Sequence, residues 1–202
     1  PAFAGMTEEG GRGSSMIELL VKNATLPDGR RVDIACVNGR IAEVAPSITA
    51  EAREVIDAKG YLVSPPFIDA HFHMDTTLSL GLPRLNTSGT LLEGIALWGE
   101  LKPLLTQDAL VERALQYCDW AVAKGLLAIR SHVDVCDERL LAVEALLHVR
   151  ARVRPYLDLQ LVAFPQDGVL RANGALANLK RALDLGVDVV GGIPHFERTM
   201  AD

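Results

Sequence analysis

Apolar and polar positions follow two different rhythms along the chain. Between residues 16 and 65 the runs are short and of β type: "MIELLVKNATL", "RRVDIACV", "GRIAEVAP" and "REVIDAKGYLV". Turn signals "PDG" and "NGR" separate them, which predicts a small antiparallel sheet layer, one part of a β-sandwich. From residue 66 short apolar runs alternate with runs of helical period. "FIDAHFH" reads as a strand, and after a long connection "TQDALVERALQYCDWAVAKG" reads as a helix. Thr106 stands at its N-cap and Gly125 just past its end, the residue types that start and stop helices. "LLAIRSHVDV" is then a strand, "DERLLAVEALLHVRARV" a helix, "DLQLVAFPQ" a strand, "ALANLKRALDLG" a helix and "VDVVGGIPH" a strand. Strand–helix units recurring at roughly 30-residue spacing predict right-handed βαβ crossovers and a parallel sheet.

The polar residues of this second region gather at the strand ends. His71 and His73 close the first strand, His132 and Asp134 the second, while Gln166 follows the third and His195 the fourth. Sites in parallel α/β folds lie at that carboxyl edge. Four such units make the N-terminal half of a (β/α)8 barrel, or else an open doubly wound sheet. A half-barrel leaves two unpaired sheet edges. The reading is therefore a flexible leader over residues 1–15, part of a small β-sandwich over 16–65, and an incomplete barrel over 66–202. A completing C-terminal segment is expected.

Composition narrows the function classes. The 202 residues carry a formal charge of −6 and 49% apolar residues, and no basic run offers itself to phosphates, so nucleic acid is not an expected partner. No apolar run approaches the ~18 residues of a membrane span. Cys36, Cys118 and Cys136 form no CxxC pair, which argues against a disulfide framework or a thiolate metal site. "PAFAGMTEEGGRGSSM" lacks the plan of a secretory signal. A cytoplasmic location is expected.

Side chains at i and i+2 of a strand share a face, so His71 and His73 converge and can hold one ion. Imidazole suits zinc and iron(II), and such an ion activates water near neutral pH. Asp75 is the next residue in that register or lies already in the loop, and is a candidate to steady the ligands from behind. His132 is a third ligand, a neighbour that orients the ligands, or a satisfied core histidine. His148 falls mid-helix and reads as surface or packing, and His195 is a lone histidine at a strand end, a candidate to support the ligands from behind. Gln166 can both donate and accept, which suits the amide or amidine edge of a heterocycle, or it is a turn residue ahead of "DG". Nucleobase deaminases with cysteine-held zinc need P-C-x-x-C, which is absent from the sequence.

"VSPPFIDAHFHMDTT", "LNTSGTLLEGIALW", "IRSHVDV", "LQLVAFPQDG" and "DVVGGIPHFERT" resemble, in this order, the bacterial cytosine deaminases of the amidohydrolase superfamily. The resemblance implies a (β/α)8 barrel with a small β-sandwich, and one divalent metal ion, iron or zinc, with His71 and His73 as its first two ligands. It implies Gln166 holding the pyrimidine edge and Leu91 lining the substrate pocket. The reaction implied is hydrolysis at the amino-bearing ring carbon with release of ammonia. The family's remaining metal ligands, its proton-shuttling glutamate and a late aspartate are expected beyond Asp202, so the 202-residue chain alone is expected to be inactive. Relatives of this branch act on isocytosine, methylated cytosine or triazines, and members often form homo-oligomers. Alternatives are the same scaffold acting on isocytosine, a triazine or a pterin, and a non-catalytic relic that serves in binding or assembly. Pro66 stands where the family usually has glycine.

Overall fold

The computed structural model describes residues 16–199, and the leader read over residues 1–15 lies outside them. The chain divides into two compact units between Pro65 and Pro66. In the first, β1 (Ile17–Thr25), β2 (Arg31–Val37), β3 (Arg40–Ala45) and β4 (Ala52–Asp57) form one sheet in the order β3-β2-β1-β4. β2 pairs antiparallel with β1 and with β3. β4 instead runs parallel to β1, so the sheet is mixed and not the antiparallel layer expected. The reason is the crossover after β3, which carries the chain past β2 to the far edge of β1. Buried Ile48 of that crossover packs with Leu20 and Ala35, and its N–H donates to Asp33 Oδ2 at 2.9 Å. Hydrogen bonds from the Ile48 and Asn23 amides hold the buried Asp33 carboxyl below the usual range. The run "GYLV" does not extend β4. A turn at Lys59 and Gly60, both at positive φ, returns the chain so that Leu62 bridges to Thr25.

In the second unit β5 (Phe67–Phe72), β6 (Leu126–Asp134), β7 (Asp158–Phe164) and β8 (Val189–Val190) lie in chain order, all parallel. Between them run α1 (Leu91–Leu101), α2 (Gln107–Ala123), α3 (Leu141–Val153) and α4 (Ala175–Asp184). The cap read at Thr106 is made, its side chain accepting from Ala109 N–H, and Gly125 closes α2 at φ +81°. α3 starts later than its sequence run. Asp137 Oδ1 accepts the Arg139 N–H, and this local turn competes with helix. β8 is shorter than expected. It ends at Gly191, where a Cβ would stand 2.8 Å from Val162 Cγ1 and 2.9 Å from the Ala163 carbonyl oxygen.

Alternation along the strands sorts the two faces of this sheet. Ile129 and Val133 of β6, with Leu159, Leu161 and Ala163 of β7, join Leu110, Ala114 and Cys118 of α2 and Val143, Leu146 and Val149 of α3 in one buried core. Phe72 points to the same side and stacks on Tyr117 of α2 at 4.3 Å. The residues between these, His71, Arg130, His132 and Gln160, therefore occupy the opposite face. Ile68 and Val190 are largely exposed, as befits strands whose barrel interior is only half assembled. The α/β class and the partial barrel read from the sequence are the architecture observed.

Candidate active site

The backbone leaves the extended conformation at His73 (φ −124°, ψ 87°) and enters a single 3₁₀ turn, Met74–Thr76. That turn is pinned to β6. Met74 N–H donates to Ser131 Oγ at 2.9 Å, and Asp134 N–H donates to Asp75 Oδ2 at 2.9 Å. Arg113 of α2 donates to the carbonyls of Thr77 and Asp75 at 3.0 and 3.3 Å. Of the two places the sequence allows Asp75, in register with the strand or already in the loop, the structure takes the loop. The turn breaks the two-residue alternation and sends its side chain into the β5–β6 interior, away from the histidines. Burial pushes that carboxyl up to about 7 against the Asp134 hydrogen bond.

Three imidazoles converge at this edge. The rings of His71 and His132 are 4.1 Å apart between centroids, and His73 lies 5.4 and 5.5 Å from His71 and His132. One nitrogen from each lies within 4.8 Å of the others. Burial, then the neighbouring His132 and His71, push His73 down to about 4. Burial and His71 likewise lower His132. Both rings are therefore neutral and keep a lone pair at physiological pH. His132 Nδ1 is buried and has no hydrogen-bond partner among the described residues, a polar atom that burial normally forbids to stand alone. The donor set fits a divalent ion of the zinc or iron(II) kind.

His71 and His73 open onto a cavity of about 450 Å³. Gln166, Leu91 and His195 all line it, so the structure brings four separate sequence readings to one place. His148 is exposed on α3, far from this edge in the topology. Ile95, Trp98 and Phe164 complete the apolar wall, and Phe164 sets its ring edge-on to His73 and His132 at 5.5 and 5.4 Å.

Sequence reasoning missed α1, which supplies much of that wall. Its signal is the capping box T-x-x-E at Thr90 to Glu93. Thr90 Oγ1 accepts the Glu93 N–H, and the Glu93 carboxylate accepts the Ser88 N–H at 2.7 Å. Asp134 then ties α1 to the sheet. Its Oδ2 accepts from Trp98 Nε1 at 2.7 Å and from Lys102 Nζ at 2.9 Å, while its Oδ1 accepts the Cys136 N–H at 2.8 Å. Lys102 also pairs with Asp167 at 2.9 Å, next to Gln166.

A helix-backed parallel sheet with a histidine cluster at its carboxyl edge is an α/β scaffold built to hold a metal ion. Residues 54–201 match the amidohydrolase family, and the chain belongs to it. It is 37% identical to 5-methylcytosine deaminase from Klebsiella pneumoniae, crystallised with 5-fluorocytosine, at a TM-score of 0.84 over 90% of this chain and 45% of that one. It is 32% identical to N-isopropylammelide isopropyl amidohydrolase of Pseudomonas sp. strain ADP over 89% of this chain and 46% of the relative. The Burkholderia multivorans N-isopropylammelide isopropylaminohydrolase superposes at a TM-score of 0.73 with 28% identity, over 87% of this chain and 45% of that one. The likeness to cytosine deaminases read from the motifs is upheld by these neighbours. The chain spans about half the length of the relatives it matches. No helix among the described residues is long and apolar enough to cross a membrane.

Proposed function

We propose that this chain is the N-terminal half of a metal-dependent deaminase that hydrolyses cytosine or a closely related aminopyrimidine with release of ammonia. One observation carries the reading. Three imidazoles meet within one ion's reach, and two of them, His71 and His73, line a cavity that also receives Gln166. His71 and His73 hold the ion, and His132 stands within reach as a third donor. A bound divalent ion supplies a Lewis acid that brings the pKa of water toward ~7. Gln166 presents a carbonyl and an amide to the ring edge and fixes which ring atom faces the histidines. Leu91, Ile95, Trp98 and Phe164 sandwich the ring and exclude bulk water. The Klebsiella neighbour, whose crystals hold 5-fluorocytosine, supports the pyrimidine. The Pseudomonas relative, with its N-isopropylammelide substrate, favours a triazine as the second reading.

The test is a substrate panel on the full-length protein, following ammonia release from cytosine, 5-methylcytosine, isocytosine and N-isopropylammelide, with metal content measured alongside. Gln166→Ala should lower kcat/KM for the preferred aminopyrimidine about 100-fold, the effect of losing ring registration, with metal content unchanged. Turnover as fast as in the parent protein would assign the ring to other contacts.

A further inference from the structure

Gln166 sits in a tight turn, with Gln166 N–H bonded to the Phe164 carbonyl and Gly168 N–H to the Pro165 carbonyl at 3.0 and 2.8 Å. Such a turn has no core of its own to hold it, so its position depends on its ends. The Lys102–Asp167 pair fixes one flank. The other flank is fixed from β8. Glu197 follows the 3₁₀ turn Pro194–Phe196, and its carboxylate accepts three successive backbone N–H groups. Oε1 takes that of Val169 at 2.5 Å, and Oε2 takes those of Leu170 and Arg171, each at 3.2 Å. Consecutive amides turned to one point make a concave nest for negative charge. The clasp is returned, with Arg171 Nη1 donating to the Phe196 carbonyl at 3.2 Å and its guanidinium lying 4.6 Å over the Phe196 ring. Gly168 is required beneath it. Its φ is +93°, and a Cβ there would meet Glu197 Oε2 at 2.8 Å.

We propose that Glu197 is a positioning residue for the substrate: by clasping the 169–171 amides it holds Gln166 at the depth the ring requires. The inference rests on the reading of Gln166 as the ring-binding residue. Glu197 is neither in the histidine cluster nor among the residues that line the cavity. Its effect reaches substrate through one turn, so its loss loosens ring binding and leaves the ion in place. A glutamine there keeps one accepting oxygen in place of two, which predicts a graded response.

The experiment uses the full-length, metal-loaded protein and the variants Glu197→Ala, Glu197→Gln, Gly168→Ala, Gln166→Ala and the Glu197→Ala/Gln166→Ala double. Steady-state kinetics with cytosine, metal content and amide hydrogen exchange are read for each. Glu197→Ala should raise KM about 10- to 100-fold, with a smaller change in kcat and full metal content. The Val169, Leu170 and Arg171 amides should lose protection while β7 amides keep theirs. Glu197→Gln should fall between, and Gly168→Ala should imitate Glu197→Ala. The double variant should be no worse than Gln166→Ala alone, because a misplaced Gln166 has little left to lose. Multiplying losses in the double, an unchanged KM, or metal loss with deprotected β7 amides would each overturn the assignment. A parent protein inert toward every ring of the panel sinks the deaminase reading itself, and this inference with it. Full parental activity with independent Glu197 and Gln166 effects sinks this inference alone.

Discussion

His73→Ala is expected to purify with its divalent ion lost and to release no measurable ammonia from any aminopyrimidine. Each imidazole here is one of three donors whose nitrogens lie within 4.8 Å. Removal of groups that merely orient a ligand costs about 10- to 100-fold in metal affinity, so removal of a ligand itself should exceed that range. The fold should survive. His73 makes no side-chain hydrogen bond that closes the Met74–Thr76 turn, and the turn is held instead by Ser131 and by Asp75 through the Asp134 amide. His71→Ala should behave in the same way. His132→Ala separates the roles left open for that residue. If its unpartnered Nδ1 completes the ion's shell, its loss should match that of His73. If it only packs against His71, at 4.1 Å, metal content should hold. Elemental analysis by plasma mass spectrometry, with circular dichroism for the fold, reads all three variants. An active His73→Ala protein with full metal content would place the ion elsewhere.

Much of this site is legible in the sequence because strands apolar nearly throughout and helices of regular period leave plain patterns. His71, His73, His132, Gln166 and His195 were placed at the carboxyl edge by counting strands alone, and the cavity gathers four of them. What stayed hidden has physical causes. α1 carries Gly94 and Gly99, poor helix formers, behind a turn-rich approach, and only its capping box betrays it. The parallel pairing of β4 depends on which side of β1 the crossover takes, and no local preference records that. Asp75 follows β5 in register, and only the 3₁₀ turn Met74–Thr76 decides between strand and loop and buries its carboxylate against the Asp134 amide. Glu197 is a loop residue whose partners are backbone amides, and amides carry no sequence signature.

Asp134→Ala is expected to lower stability by about 3–5 kcal/mol, far more than Lys102→Met. Asp134 is 3% exposed and Lys102 15% at the side chain, so neither deletion is relieved by water. Without Asp134 the Trp98 indole N–H, the Cys136 amide and a half-buried ammonium lose an acceptor together. Lys102 then keeps only Asp167, which is 41% exposed at the side chain. Without Lys102, by contrast, Asp134 still accepts from Trp98 and Cys136, two well-made bonds to a carboxylate. Urea unfolding of both variants checks the asymmetry, and equal losses would mean the pair acts only through its mutual attraction. pH adds a second check. Burial alone would lower the Lys102 ammonium, but the charge of Asp134 and the hydrogen bonds to Asp134 and Asp167 outweigh it and raise it above its ordinary 10.5. A folded-state pKa raised in this way contributes stability that is fully present below 10.5 and is lost as pH rises beyond it. The parent protein should therefore weaken at alkaline pH, and Asp134→Ala should lose most of that slope. Trp98 is both the indole that Asp134 holds and a wall of the cavity. Any Asp134→Ala protein that remains folded should consequently bind its ring more weakly, since the helix that closes the pocket is no longer fastened to the strand that carries His132.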